Sequence, residues 1–322
     1  MGVCRILVTG VGGAPGFDLT RSLLQLGSEV VTTDADPLAC GLLLPGTTPR
    51  LLPSAADPAY TDVLLGLCKE LRPQAIISTV EPELPHLARV AGELESLGVR
   101  TWLPSSEAID TCADKAVFHE ALTEQGIPTP RTWLHPDEAP DGPLLVVKPR
   151  RGWGSKHVHQ AVGRAQARAL AAPTPDFIVQ EHVDGVEFTA DCLIDRDGTA
   201  SVILRYRQLV KNGLSMVAET FTDPAVTALV RETLAATGIT GAACAQGFIA
   251  HDQSLVMTEV NARVAGGFPL AEAAGAHLVE QLLAATLGGP VDHTRLTYRP
   301  GVRLTKYVET LVVAHPGGTA WT

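Results

Sequence analysis

The chain has 322 residues, 45% hydrophobic and 19% charged, with a formal net charge of −10 and a pI of about 5.4. Roughly one to three domains fit that length. The composition supports a full core and excludes a disordered polymer, and the acidic balance excludes a general nucleic-acid binder, which would carry a basic stripe.

No apolar run is long enough to span a bilayer, and Met1 to Ile6 runs straight into a strand without a secretory leader pattern. Ile6 stands where a myristoylation signal needs Ser or Thr. Six cysteines, at 4, 40, 68, 112, 192 and 244, lack any Cys-x-x-Cys spacing. That pattern predicts reduced, mostly buried thiols and a cytoplasmic protein with no disulfide frame or zinc site.

The first third alternates strand and helix signals. Ile6-Leu7-Val8 predicts a buried strand, Gly10, Gly12, Gly13 and Gly16 a tight turn, and Leu19 to Leu26 a helix stopped by Gly27. Val30-Val31 opens a strand ending at Asp34. This β–turn–α–β unit approximates a dinucleotide fingerprint, but Pro15 occupies the slot of the third glycine, which makes the match weak and favours a tight turn that needs glycine for backbone reasons. A helix over 62–71, a strand at Ala75–Ser78, a helix over 87–97 and a strand over 99–102 extend the alternation, which implies a small parallel sheet. Glu81 and Glu83 follow the carboxyl end of a strand. Ligands collect there in open α/β sheets, and carboxylates also cap the helix that comes next; both readings stand.

In the middle, Asp114 is an N-cap for a helix through Leu122 that Gly126 ends. Lys115 lies in its first turn, where the helix dipole disfavours a cation and an anion would compensate. Leu144 to Val147 is an apolar strand ending in Lys148, a lysine that needs a partner because an unpaired buried charge is costly. Residues 150–156 form a basic glycine-containing turn, whose Gly152 and Gly154 let backbone N–H groups approach an anion. His157 and His159 can share a face but have no third ligand nearby. Strands follow over 177–183 and 186–194, joined by Asp184-Gly185, with Asp195 to Gly198 as a hairpin turn.

Arg205, Arg207 and Lys211 then fall on a strand and the loop after it, ending in Asn212-Gly213. A helix begins at Asp223 and ends at Gly238. Ala242 to Phe248 is a strand carrying Gln246, paired as a hairpin with the strand that starts at Leu255. Alternate side chains share one strand face, so Glu259, Asn261 and Arg263 point together. A divalent cation would take oxygen from Glu259 and Asn261, leaving Arg263 for a phosphate oxygen; a solvated edge strand with an internal Glu–Arg pair is the plain alternative. A final helix over 278–287, a strand pair over 302–313 carrying Arg303 and Lys306, and a fraying tail from His315 to Thr322 complete the chain.

Lys115, Lys148-Pro149 with its basic loop, Val179-Gln-Glu-His-Val with Gly185-Val-Glu-Phe, and Glu259-Val-Asn-Ala-Arg occur in the order and approximate spacing of the ATP-grasp superfamily, which this chain resembles over nearly its whole length. The resemblance implies an α/β chain with the ATP-grasp fold behind an N-terminal Rossmann-like (pre-ATP-grasp) domain. Residues 1–110 would form the first domain and 111–322 the second, with a lid over about 130–183 and a metal and phosphate subdomain over about 184–322. Lys115 and Lys148 would contact ATP phosphates. Residues 150–156, including Arg150, Gly152, Gly154 and Ser155, would form the mobile part of the lid. Gln180, Glu181, His182 and Val183 would line the nucleotide site, the backbone of Glu181 and Val183 making hinge contacts beside the adenine. Glu187 would accept the ribose hydroxyls. Gln246, Glu259 and Asn261 would hold one or two Mg2+, with Mn2+ an alternative. Lys211 would join Lys148 and Arg263 at the reacting phosphoryl group, and Glu83, Arg205, Gly266 and Gly267 would face the substrates.

Two departures shape the expected substrate. Carbamoyl phosphate synthases carry an arginine where this chain has Gly266. The stretch Gly266-Gly267-Phe268-Pro269-Leu270 instead resembles amino-acid and peptide ligases, whose backbone N–H groups there meet a carboxylate; Ala262 replaces a proline common in the family. The expectation is an ADP-forming ligase that joins a small carboxylate to an amine through an acylphosphate, with no nucleic-acid or membrane partner and a homodimer left open. The rival expectations are a bicarbonate-using enzyme of the carboxylase or carbamoyl-phosphate type and a non-catalytic nucleotide-binding regulator.

Overall fold

The computed structural model describes residues 4–152, 154, 157–173 and 176–312. Its first unit runs β1 (Arg5–Thr9), α1 (Ala14–Gln25), β2 (Glu29–Asp34), β3 (Thr47–Leu51), α2 (Tyr60–Leu71), β4 (Ala75–Ser78), α3 (Leu84–Arg89), α4 (Ala91–Ser96) and α5 (Ser106–Ala113). The four strands form a parallel sheet in the order β3-β2-β1-β4. Both faces are covered, as parallel sheets require. Ile6 and Val8 pack with Leu19 and Leu23 of α1, while Leu7 faces Tyr60 and Leu64 of α2. The glycine turn is tight for steric reasons: a Cβ on Gly16 would lie 2.4 Å from the carbonyl oxygen of Gly10.

A second, antiparallel sheet follows α6 (Lys115–Glu124). It contains β5 (Thr132–Trp133), β6 (Leu144–Pro149), β7 (His159–Val162) and β8 (Phe177–Glu181), with α7 (Gly163–Ala171) packed on it, in the order β5-β8-β6-β7. Leu145, Val147, Ala161 and Val179 form its own small core with Ala167 and Ala171.

The third sheet is built from β9 (Gly185–Ile194), β10 (Ala200–Lys211), β11 (Leu214–Thr220), β12 (Gly241–Ala250), β13 (Leu255–Asn261) and β14 (Arg303–Thr305), in the order β13-β12-β9-β10-β11-β14. Helices α8 (Pro224–Thr237), α9 (Pro269–Ala273) and α10 (Leu278–Thr286) accompany it. Asp223 caps α8 by accepting from Ala225 N and Val226 N, and Gly238 ends it at φ 64°. One side of the sheet packs Phe188, Leu204 and Val260 against Phe118 of α6 and Val230 of α8. Phe268, Leu278 and Leu282 join the cluster of Ile6 and Leu19, which ties the segment after β13 to the first sheet. Each such fully buried side chain contributes about 2 kcal/mol of burial free energy.

The architecture is α/β with the expected parallel sheet first, but three elements differ from expectation. The helix over 87–97 is divided into α3 and α4 at Val90, in a stretch containing a β-branched residue and Gly92, both weak helix formers. The strand over 99–102 reduces to one bridge, Ala75 to Arg100. The strand pair over 302–313 is the single strand β14 on the edge of β11; residues 306–312 carry no regular element, and 313–322, with the expected frayed tail, lie outside the described residues.

Candidate functional site

Two cavities meet beneath the four-stranded antiparallel sheet. The larger, of about 1040 Å3, lies between the loops of the first sheet and the six-stranded sheet. The smaller, of about 580 Å3, lies between the four-stranded antiparallel sheet and the same six strands. Gly154, Arg207, Gln246 and Glu259 line both, so these residues form the neck between them.

The floor of the neck comes from β12 and β13. Gln246 and Glu259 are register partners, and a bulge at Thr258 interrupts the ladder immediately before Glu259. Bulges re-aim side chains and gather beside functional sites. Val260 turns into the core while Glu259 and Asn261 face the cavities, as a period of two demands.

The electrostatics follow from burial. Desolvation alone would raise the Glu259 carboxyl, but Lys115, Lys148, the Asn261 amide and Arg263 outweigh it and hold the group ionised, below the usual carboxylate range. Lys148, at the end of β6, is pushed down to about 8, chiefly by burial, with Glu259 opposing and Lys115 reinforcing the shift. Lys115 Nζ donates to Gly152 O at 2.9 Å. Arg263 donates from Nη2 to Asn261 Oδ1 at 3.3 Å and lies 3.6 Å from Glu81 Oε1. Burial raises the Glu81 carboxyl, against the pull of Arg263.

The fold brings most of the expected residues together. Lys115, Lys148, Gly152, Gly154, residues 180–183 and Glu187 all line the smaller cavity. Glu83, Arg205, Lys211, Asn261, Arg263, Gly266 and Gly267 line the larger one. Ser155, with Trp153 and Lys156, lies outside the described residues.

Several roles change once partners are visible. Arg150 lines neither cavity: its Nε donates to both oxygens of Asp114, at 2.6 and 2.8 Å, and Arg151 reaches the same carboxylate. Asp114 also caps α6, so a buried anion binds Arg150 before any phosphate can. Arg205 is 3% exposed and ion-paired with Asp191 at 2.9 Å. A Cβ on Gly267 would lie 2.5 Å from its Cζ, so Arg205 supports the Gly266-Gly267 backbone from beneath. Gln246 Oε1 accepts from Arg207 Nη1 at 2.8 Å, and the same nitrogen donates to Glu187. Gln180 donates to Thr132 across β8 and β5. Glu83 occupies the N-cap position of the helix that follows, but its side chain makes no capping hydrogen bond there. Glu83 is buried and hydrogen-bonded to Thr9 and to Ser78 at 2.7 Å, which leaves the cavity wall as the setting of both acids.

Some lining residues carried no sequence signal. Residues 52–56 and Thr79 form the far wall of the larger cavity, and nothing in their types announces it. Asp34, the strand-end acid, accepts from Gly12 N at 2.7 Å and so braces the glycine turn.

Hard oxygen donors at Glu259 and Asn261 suit a divalent cation, and an ionised carboxylate facing two lysines is an environment that a cation-bridged polyphosphate would balance. Gln246 suits it less, since its oxygen already faces a guanidinium. Among the described residues no three His, Cys, Asp or Glu side chains gather into a metal cluster. Nor is any described helix long and apolar enough to cross a membrane.

Comparison with known proteins adds two family matches. Residues 173–310 match the model described as ATP-grasp in the biosynthetic pathway with Ter operon, and residues 6–102 match the PylC-like N-terminal domain. A phosphoribosylamine–glycine ligase of Corynebacterium ammoniagenes is 28% identical over 209 residues, covering 59% of this chain and 46% of that protein. The chain thus spans about half the length of the curated relatives it matches. Among solved structures, an L-amino acid ligase from Bacillus licheniformis superposes with a TM-score of 0.74 at 19% identity, over 92% of this chain and 77% of that one. An N5-carboxyaminoimidazole synthetase from Staphylococcus aureus, complexed with ADP, superposes with a TM-score of 0.72 at 15% identity, over 90% and 78%. These likenesses show a shared fold.

Proposed function

We propose, for a chain that carries an ATP-grasp domain behind a PylC-like N-terminal domain, the ATP-dependent joining of a small carboxylate to an amine with release of ADP and phosphate. The observation that carries this reading is Glu259: an ionised carboxylate at the junction of two cavities, with Lys115 and Lys148 on one side and Arg263 on the other. The curated relative and one structural neighbour are ligases by name, which supports the reaction class.

In this reading the smaller cavity takes ATP. Lys115 and Lys148 hold its phosphates, and the strand end at 180–183 flanks the adenine. A carboxylate oxygen bonds to the γ-phosphorus as the bond to ADP breaks. The amine nitrogen then bonds to the acyl carbon, phosphate leaves and the amine gives up one proton. Magnesium, held by Glu259 and Asn261, would neutralise the polyphosphate and the charge spread over the moving phosphoryl group. Arg263 and Lys211 face that group from the larger cavity, where the acid and amine bind against Gly266-Gly267. The lid sheet closes from above and excludes water that would hydrolyse an acylphosphate. The three sheets support a first domain over 1–110 and an ATP-grasp domain over 111–322, with the lid over about 130–183.

The test is an ADP-release screen across mixed acids and amines with mass detection of products, run with and without bicarbonate. An amide product with ADP is expected. AMP as product, or a requirement for bicarbonate, would replace this reading.

A further inference from the structure

One side chain at the neck is a buried cation held by residues of both cavities. Arg207, on β10, is only 6% exposed. Its Nη1 donates to Glu187 on the nucleotide side and to Gln246 at 2.8 Å on the floor, and its Nη2 donates to Gly213 O at 2.8 Å. Its buried Nε–H has no partner among the described residues. A fully engaged structural arginine would not leave a buried donor idle, because an unmade hydrogen bond there is costly.

The partners of Arg207 sharpen the point. A ribose diol at Glu187 and a metal at Gln246 would compete with Arg207 for the oxygens it already contacts. Each interaction strengthens if the guanidinium withdraws, and a buried cation stripped of its carboxylate needs another anion in exchange. The triphosphate is the anion that the proposed reaction brings to the neck. Gly213 adds a mechanical link. It lies in the Asn212-Gly213 hairpin turn with φ 74°, and a Cβ on it would sit 2.8 Å from the carbonyl carbon of Gly154 in the lid loop. The turn that Arg207 braces therefore touches the lid.

We propose that Arg207 is a nucleotide-released latch. In the free chain it closes the neck by bridging Glu187 and Gln246. When the nucleotide binds, its guanidinium passes from those two side chains to the terminal phosphate, which frees Glu187 for the ribose and joins the two cavities. The site thereby distinguishes a triphosphate from a diphosphate before any acid is engaged. The inference rests on the ATP reading above.

The test is calorimetric binding of ADP and of a nonhydrolysable ATP analogue to the full chain with magnesium, for the unaltered protein, Arg207→Met and Arg207→Lys, with thermal melts to confirm folding. The unaltered protein should prefer the triphosphate analogue by about tenfold, the scale of one charge-assisted hydrogen bond. Arg207→Met should bind ADP about threefold tighter, because Glu187 loses its competitor, and should lose the preference for the triphosphate. Arg207→Lys cannot span Glu187 and Gln246 together and should shift the same way by less, so it carries the test if the Met variant does not fold. A preserved preference, or parallel weakening of both ligands, overturns the latch while leaving the ATP reading intact. An unaltered protein that binds neither nucleotide overturns both.

Discussion

The two cavities that meet at Glu259 are built in opposite ways. The smaller is walled by β-strands, the turns between them and the start of α6, all within residues 115–259, and its lysines, Lys115 and Lys148, sit at the ends of regular elements. The larger takes half its wall from loops of the first sheet, at Asp34, residues 52–56 and 79–83, and there its ionisable groups are carboxylates. Fixed charges on rigid elements suit a ligand whose chemistry is the same in every turnover, such as the polyphosphate of a nucleotide. Loops on a rigid scaffold suit the part that must discriminate. The contrast places the chemistry common to the fold on one side and the choice of acid and amine on the other.

The most severe way to break that division is at the shared floor. Glu259→Gln removes the carboxylate that both cavities share, and ADP release with the best acid–amine pair should fall by about a hundredfold to a thousandfold; a folded variant with normal turnover would remove Glu259 from the metal site. Lys148→Ala acts on one cavity only. It should raise KM for ATP by about thirtyfold, the cost of a lost charged phosphate contact, and leave KM for the amine within about twofold. Glu81→Gln is the mirror experiment. Arg263 loses its carboxylate partner, so KM for an acid or amine should change by about tenfold while KM for ATP stays put. Equal effects on both substrates in either variant would erase the proposed division.

The smallest effect is a proton. In the free chain Lys148 loses its charge above about 8. A bound polyanion favours the charged form and raises that value. Nucleotide binding at pH 8.5 should therefore take up about half a proton or more, and affinity should be flat below pH 8 and fall as pH rises beyond it. Calorimetry in buffers of different ionisation enthalpy measures the uptake, which Lys148→Ala should abolish.

Much of the scaffold was legible because its signals are local. Asp114 and Asp223 announced helix starts by cap chemistry, Gly238 announced a stop, and the apolar runs at Ile6–Val8 and Ile76–Ile77 announced buried parallel strands. Short strands such as β3 and β5 carried no comparable pattern, and α7 buries only Gly163, Ala167 and Ala171, residues too small to stand out as an apolar face. The expected strand pair after Val302 had an apolar pattern but only one neighbour to pair with. Arg150 shows a different limit. Its position in a basic glycine turn suggested an anion, and an anion is there, but it is Asp114 of the same chain.

The order of residues alone determined which side chains share a face: Glu259 and Asn261 are two apart on a strand, and backbone geometry aims them together whatever surrounds them. Tertiary structure alone decided who meets them. Whether Arg207 touches Glu187 and Gln246, or Glu81 reaches Arg263, depends on the pairing of strands and loops far apart in the chain and on three irregularities that shift register, at Gln208, Met216 and Thr258. Those choices are settled by packing over the whole molecule, and no short stretch of chain encodes them.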